Sequence, residues 1–250
     1  MQIGVVWLQM LWEILHHGNK KKKDDSYIIE DINNHYFIEP PYNMEFIGKK
    51  MNREMFKTFL KKGSFDISGY LISGDALMDY VLSLDSEKHV LNSEDGEKAF
   101  VYTYPERIKN IVSATDKQDI GFYNQIQIVC ERLKSNIHSN RAVMNLYVPG
   151  IDGHAVDIPC LNWVQALVHN DCLTLHVMFR SNDIYQAFPA NMYFIMYLGV
   201  TIVDELREKY PTLYFGGIYY NSTSAHIYDT NVDEVSKLLE VELWYLKLWK

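Results

Sequence analysis

The chain has 250 residues, 48% of them hydrophobic, which is enough apolar material for a sizeable core and excludes a disordered polymer. Lys and Arg number 24 against 32 Asp and Glu, a formal charge of -8, and this excludes a non-specific nucleic-acid coat, which needs a basic surface. Three cysteines, Cys130, Cys160 and Cys172, with no CxxC or Cys/His metal spacing, suggest neither a disulfide framework nor a metal site and fit a reducing cytoplasm.

The first segment, MQIGVVWLQMLWEILHHGNKKKK, carries its lysines after the apolar run and Glu13 within it, the reverse of a signal peptide, and the run is too short to span a bilayer. Trp7, Leu11, Ile14 and Leu15 fall at helical spacing with Gly18 as a stop, so a packed N-terminal helix is expected. KKKKDD reads as a charged turn with solvated lysines, and SYIIEDINNHYFIE, rich in β-branched and aromatic residues, as a strand. NREMFKTFLKKG and DALMDYVLSL read as short helices, and LDSEKHVLNSEDGEKA as a polar surface loop. From Phe122 onward, Phe122, Ile126, Val129, Cys130 and Leu133 recur at helical spacing, which puts Cys130 in the core.

RAVMNLYV, LNWVQALV and CLTLHVMFR read as strands. In the last, Leu173, Leu175, Val177 and Phe179 alternate with Thr174, His176 and Met178, so its two faces differ and His176 is a face residue rather than a ligand. PANMYFIMYLGVTIVDELREKY is apolar enough for a central, mostly buried helix. The strand YFGGIYYNSTSAHIYD and a terminal helix from about Val232 follow. With no repeat, linker or composition break, a single α+β domain over residues 1–250 is the simplest account.

Two stretches carry chemistry. In VDIPCLNWVQ, Cys160 follows a proline at the head of a strand, where it is either a small packed hydrophobe or an exposed nucleophile. In FRSNDIYQAFPAN, Arg180 and Ser181 offer a forked cation and a hydroxyl, a pair matched to a phosphoryl group. Asn191, at the start of the long helix, offers a donor and an acceptor together, which suits the edge of a pyrimidine.

IPC, then Gln165 five residues after the cysteine, RSND twenty after it and PAN ending at Asn191 resemble the core signature of the thymidylate synthases in order and spacing. NQIQIVCERLK followed by SNRAV resembles the family's helix and its phosphate-binding SRR segment, and SAHIYD resembles its HxY near the end of the fold. The resemblance covers about residues 102–228, and YTYPERI with RSND…PAN is similar to the short archaeal-type members. It implies a three-layer α+β fold with a mixed, twisted sheet packed against helices, one sheet face meeting its copy in a symmetric homodimer.

The resemblance also implies roles. Cys160 would add to C6 of dUMP, its thiol activated by nearby guanidinium groups. Arg180 and Ser181 would hold the phosphate, with Arg141 reaching it from the partner subunit. His226 and Tyr228 would bind the sugar, Gln165 and Asn191 the nucleotide, and Tyr104 would serve the removal of the C5 proton. Asp183 would face the pterin of the one-carbon carrier, 5,10-methylene-tetrahydrofolate or a methanopterin-type carrier; no metal is implied. The amide of Asn191 matches uracil N3–H and O4, whereas the related deoxycytidylate hydroxymethylases carry a carboxylate there, so a uracil substrate is favoured.

The sequence departs from the family pattern at four places. Leu161 stands where histidine is common, and Asn140 replaces one phosphate arginine in SNR. The early loop offers only Lys20 to Lys23, with Lys22 or Lys23 as the available point charge, and LEVELWYLKLWK does not resemble the tail that closes over folate. For the family's glutamate the sequence offers only Glu54. These gaps keep two alternatives in view, a nucleotide 5-hydroxymethylase and a non-catalytic nucleotide binder.

Overall fold

The computed structural model describes residues 1, 3–40, 84, 103–114 and 120–247. The helices expected at 52–63 and 75–84 and the loop at 84–99 lie outside the described residues, except for Leu84, which is buried.

Helix α1 (Ile3–His17) buries Trp7, Leu11 and Ile14, and the Gly18 amide closes it onto the Ile14 carbonyl at 2.9 Å. The lysine run departs from the expected charged turn. Asn19–Lys23 forms strand β1, which pairs antiparallel with β2 (Ser26–Ile38) through a turn where Asp24 takes a φ of 53°. The charges do not prevent this, because Lys20 bonds Asp229 at 2.9 Å and Lys21 bonds Glu30 across the strand pair.

A short helix α2 (Tyr104–Lys109) and a two-stranded sheet, β3 (Ile111–Ala114) with β4 (Ile120–Tyr123), precede helix α3 (Gln125–Ser135). Apolar spacing from Phe122 places the helix start too early: Phe122 belongs to β4, and the Asn124 side chain caps α3 by accepting from Ile126 N at 3.0 Å. Cys130 is buried in that helix, as expected. Next come β5 (Val143–Asn145), shorter than RAVMNLYV suggests, the turn of helix α4 (Pro149–Asp152), β6 (Leu161–His169) and β7 (Cys172–Phe179). Asn170 and Asp171 join β6 to β7 with φ of 50° and 59°, the two positive values of a type I′ hairpin. The chain continues through β8 (Asn182–Asp183), helix α5 (Phe188–Leu206), β9 (Tyr214–Tyr228) and helix α6 (Val232–Lys247).

The main sheet runs β1-β2-β9-β7-β6-β5, with β8 beside β9. β9 is parallel to β7 and β8 and antiparallel to β2, so the sheet is mixed and the fold is α+β. Val164 and Ala166 of β6, Leu175 and Val177 of β7 and Tyr220 of β9 are buried on one face, where α5 packs on β7 and β9. α3 packs both on α5 and on β5 at the sheet edge. Gly199 allows the close seat of β9 on α5, since a Cβ there would lie 2.2 Å from the Phe215 ring. The other face shows Met178 and Tyr219 exposed, with Trp163, Gln165 and His176 half-buried beside them. Among the described residues no helix is long and apolar enough to cross a membrane.

Candidate active site

One end of the sheet gathers the chemistry. β6 begins where its antiparallel partner β7 ends, so Cys160 and Arg180 are neighbours, and the Arg180 amide donates to the Cys160 carbonyl at 2.9 Å. β9 runs past the end of β7 and pairs there with β8, which sets Asp183 opposite His226. Trp7 of α1 pins this corner by donating its indole N–H to the Ile184 carbonyl at 2.6 Å.

The Cys160 loop is held by the arginine that follows β7. Arg180 Nε donates to the Pro159 carbonyl at 3.1 Å and Nη2 to the Ile158 carbonyl at 2.7 Å, while Asn162 Nδ2 also donates to Pro159 at 2.8 Å. A forked guanidinium therefore fixes the two residues before the thiol. Burial pushes the Cys160 thiol above its ordinary range, while Arg180 first and then Lys23 favour its ionised form.

Ser181, His226, Lys23 and Tyr228 form a second cluster. Lys23 Nζ lies 3.1 Å from His226 Nε2 and donates to the Tyr228 hydroxyl at 3.3 Å. An ammonium only donates, so Nε2 accepts and the ring proton sits on Nδ1, 3.4 Å from Ser181 Oγ. Burial and the Lys23 charge pull the His226 pKa down to about 4, so this ring is neutral at pH 7. Lys23 is thus part of the site rather than one of a solvated run. Its position follows from the β1–β2 hairpin, which lays Ile28 opposite Tyr228.

A third group is buried. Asn191 Nδ2 donates to Asn182 Oδ1 at 3.2 Å, and Asn182 Nδ2 donates to the Tyr220 hydroxyl at 3.0 Å. Next to it Asp183 Oδ1 accepts the amides of Tyr185 and Gln186, both at 3.0 Å, which shapes the turn into α5. Burial raises the Asp183 pKa, against the effect of those two bonds and of Lys23.

Tyr104 reaches the site from α2: its hydroxyl accepts from the amide of Leu161, the residue after Cys160, at 3.3 Å. α2 is anchored through Arg107, whose Nη2 and Nη1 meet the buried carboxylate of Asp152 at 2.7 and 3.3 Å. Two expected residues lie elsewhere. Gln165 is on the other face of the sheet, donating to the Asn140 carbonyl at 2.7 Å, and Arg141 is exposed in the turn that this bond steadies. Glu54 lies outside the described residues. Among the described residues no group of three or more His, Cys, Asp and Glu could hold a metal ion.

The thymidylate synthase family model matches residues 89–246, more than half of the chain and a wider span than 102–228. The chain belongs to the thymidylate synthase family. It is 29% identical over 240 residues to a Methanococcoides burtonii protein named "Putative thymidylate synthase", covering 95% of this chain and 92% of that one. A protein of the same name from Methanothermobacter marburgensis is 31% identical over 172 residues, 69% of this chain and 67% of its own. A "Thymidylate synthase" of Aster yellows witches'-broom phytoplasma is 26% identical over 125 residues, 49% of this chain and 41% of that protein.

For this thymidylate synthase family member, sequence reasoning overlooked Asn182 and the Arg107–Asp152 pair and undervalued Lys23. Asn182 stands inside RSND, yet its partners, Asn191 of α5 and Tyr220 of β9, meet it only in the folded chain. Arg107 and Asp152 are 45 residues apart, with no local signal joining them.

Proposed function

We propose that this protein is a thymidylate synthase, which transfers and reduces a one-carbon unit from a methylene-pterin carrier to C5 of dUMP to give dTMP. The observation that carries this reading is the meeting of three sequence-distant segments at one sheet end. The Cys160 loop is clamped by Arg180, and Ser181 faces the His226–Lys23–Tyr228 cluster. Simple nucleotide binding needs no thiol at that point.

In this scheme Cys160 loses its proton to solvent, its Sγ bonds to C6 of uracil, and the C5=C6 electron pair moves toward C5 and O4, where an N–H of Asn191 supports the charge. C5 then attacks the one-carbon unit. Loss of the C5 proton, served by Tyr104, breaks the bond between the transferred carbon and the carrier nitrogen and leaves an exocyclic methylene on C5. Hydride from the carrier adds to it as Cys160 leaves C6 and the C5=C6 bond re-forms, so the carrier ends two electrons more oxidised. Arg180 and Ser181 take the phosphate, His226 and Tyr228 the sugar hydroxyl, and Asp183 the pterin. The carrier is 5,10-methylene-tetrahydrofolate or a methanopterin-type analogue.

The protein works as a homodimer joined through the open sheet face, with Arg141 completing the phosphate site of the partner. The exposure of Met178, Tyr219 and Arg141 supports this assembly. The test is a mass spectrum of dUMP after incubation with the protein and methylene-tetrahydrofolate, with Cys160→Ala alongside. A methyl product that the variant does not form is expected. A hydroxymethyl product would identify a hydroxymethylase of the same fold, and unchanged dUMP with both carriers would indicate a binder.

A further inference from the structure

Asn182 is 1% exposed and forms the middle of a buried chain of side chains from Asn191 of α5 to Tyr220 of β9. Its place is set by β8, where it pairs with Ala225, while Asn191 arrives from the first turn of the helix. Burial holds the Tyr220 hydroxyl well above its ordinary range, so that end of the chain stays neutral.

The consequence concerns the base. A primary amide carries a donor and an acceptor side by side, and a half-turn about its last bond exchanges them. Uracil offers N3–H and the O4 carbonyl; cytosine offers a bare N3 and a C4 amine. An asparagine able to turn would therefore pair with either base. The bond to Asn182 restrains that freedom. With Asn191 Nδ2 on Asn182 Oδ1, a half-turn would set oxygen against oxygen in a buried place, leaving two acceptors without a proton between them.

We infer that Asn182 is a specificity-determining residue, which holds the Asn191 amide in the orientation that accepts a uracil nucleotide and rejects a cytosine nucleotide. This rests on the proposed role of Asn191 at the base. Asn182 acts through Asn191, so it is a positioning residue, and its loss changes the choice between ligands rather than only their affinity. Asn182 can follow such a turn only if the buried Tyr220 hydroxyl stops accepting from its Nδ2 and donates to its Oδ1 instead. A side chain at 182 with only acceptors toward Asn191 preserves the lock.

The experiment is calorimetric titration of the full chain with dUMP and with dCMP, for the wild type, Asn182→Leu, Asn182→Ala and Asn182→Asp. Each variant is first checked for cooperative urea unfolding. The wild type prefers dUMP; Asn182→Leu and Asn182→Ala lower that preference by about tenfold, chiefly by admitting dCMP, and Asn182→Asp keeps most of it. A preference unchanged in either apolar variant, or equal weakening of both ligands, overturns the inference. Should neither apolar variant fold, loss of the preference in Asn182→Asp overturns it and retention supports it. A wild type that binds dUMP and dCMP equally, or neither, removes the reading of Asn191 and the inference with it, an outcome distinct from a preference that survives mutation.

Discussion

Alternate residues of the same strands make two unlike surfaces in this sheet. Val177 and Leu175 of β7, with Tyr220 and Ile218 of β9, are closed over by α5 and are wholly or almost wholly buried. Their immediate neighbours Met178, His176, Tyr219 and Asn221 point the other way, and Met178 and Tyr219 remain 39% and 43% exposed. At the chemical end of the sheet, buried polar groups find partners within the chain, Asn182 with Asn191 and Tyr220, and His226 with Ser181. The open face instead shows a thioether and rings, with His176 stacked on Tyr219 at 4.4 Å. The contrast teaches that one chain supplies its own closure around Cys160 but not around Arg141, which sits by the open face. In the proposed dimer the second copy supplies that closure and the remaining phosphate cation.

The largest effect is expected where that face is charged. Met178 lies between Trp163 of β6 and Asn221 of β9, at the middle of the open surface. In a two-fold interface Met178→Asp places two unpaired carboxylates in the contact, each costing on the order of 2 kcal/mol. The expected result is a dimer weakened by about a thousandfold, measured by analytical ultracentrifugation, with the unfolding midpoint of the monomer little changed. Turnover should fall with dimer content. A wild type that sediments as a monomer, or a Met178→Asp protein that remains dimeric, breaks the comparison.

The closed end is tested next, through His226. The unfolded ring takes a proton below its ordinary pKa of 6.5, whereas the folded ring waits until about 4. The unfolded state therefore binds more protons within that window, and stability falls as the pH drops through it. Between pH 7 and pH 5 this amounts to about 2 kcal/mol, at 1.4 kcal/mol per pH unit below 6.5. Burial of His176 adds in the same direction. Asp183 acts oppositely at lower pH, because its raised pKa lets the folded state protonate first. Urea unfolding at the two pH values should show this loss in the wild type and a smaller one in His226→Asn. Identical pH dependence would mean that the ring is not held neutral.

What the sequence made legible follows the same division. The strand at Cys172–Phe179 and the helix at Phe188–Leu206 were readable because burial is periodic, and the family motif was readable because its segments keep their spacing along the chain. The motif includes Cys160, Arg180, Ser181 and His226, which the fold brings to one end of the sheet. Illegible were features that depend on who lies opposite. Four consecutive lysines carry no strand signal until Glu30 and Asp229 stand across from them. Asn182 carries no role until α5 crosses it, and nothing local in the sequence signals the bonds of Arg180 to the Ile158 and Pro159 carbonyls.

Lys23 tests the finest point, whether the hairpin lysine belongs to the closed end or to the solvent. Its ammonium contacts His226 and Tyr228 and favours the ionised form of Cys160, against a larger effect of burial. Lys23→Gln keeps a donor for His226 Nε2 but removes the charge, so the thiol pKa should rise further. At pH 8 and low salt, alkylation of Cys160 by iodoacetamide, followed by peptide mass spectrometry, should slow by about two- to fivefold, an effect of the size expected from one partly screened charge. Added salt should shrink the difference less than for a surface lysine such as Lys20→Gln, because Lys23 is half-buried and Lys20 is exposed. Equal rates in wild type and Lys23→Gln would return Lys23 to the solvated run that the sequence suggests, and would leave Arg180 as the cation that works on the thiol.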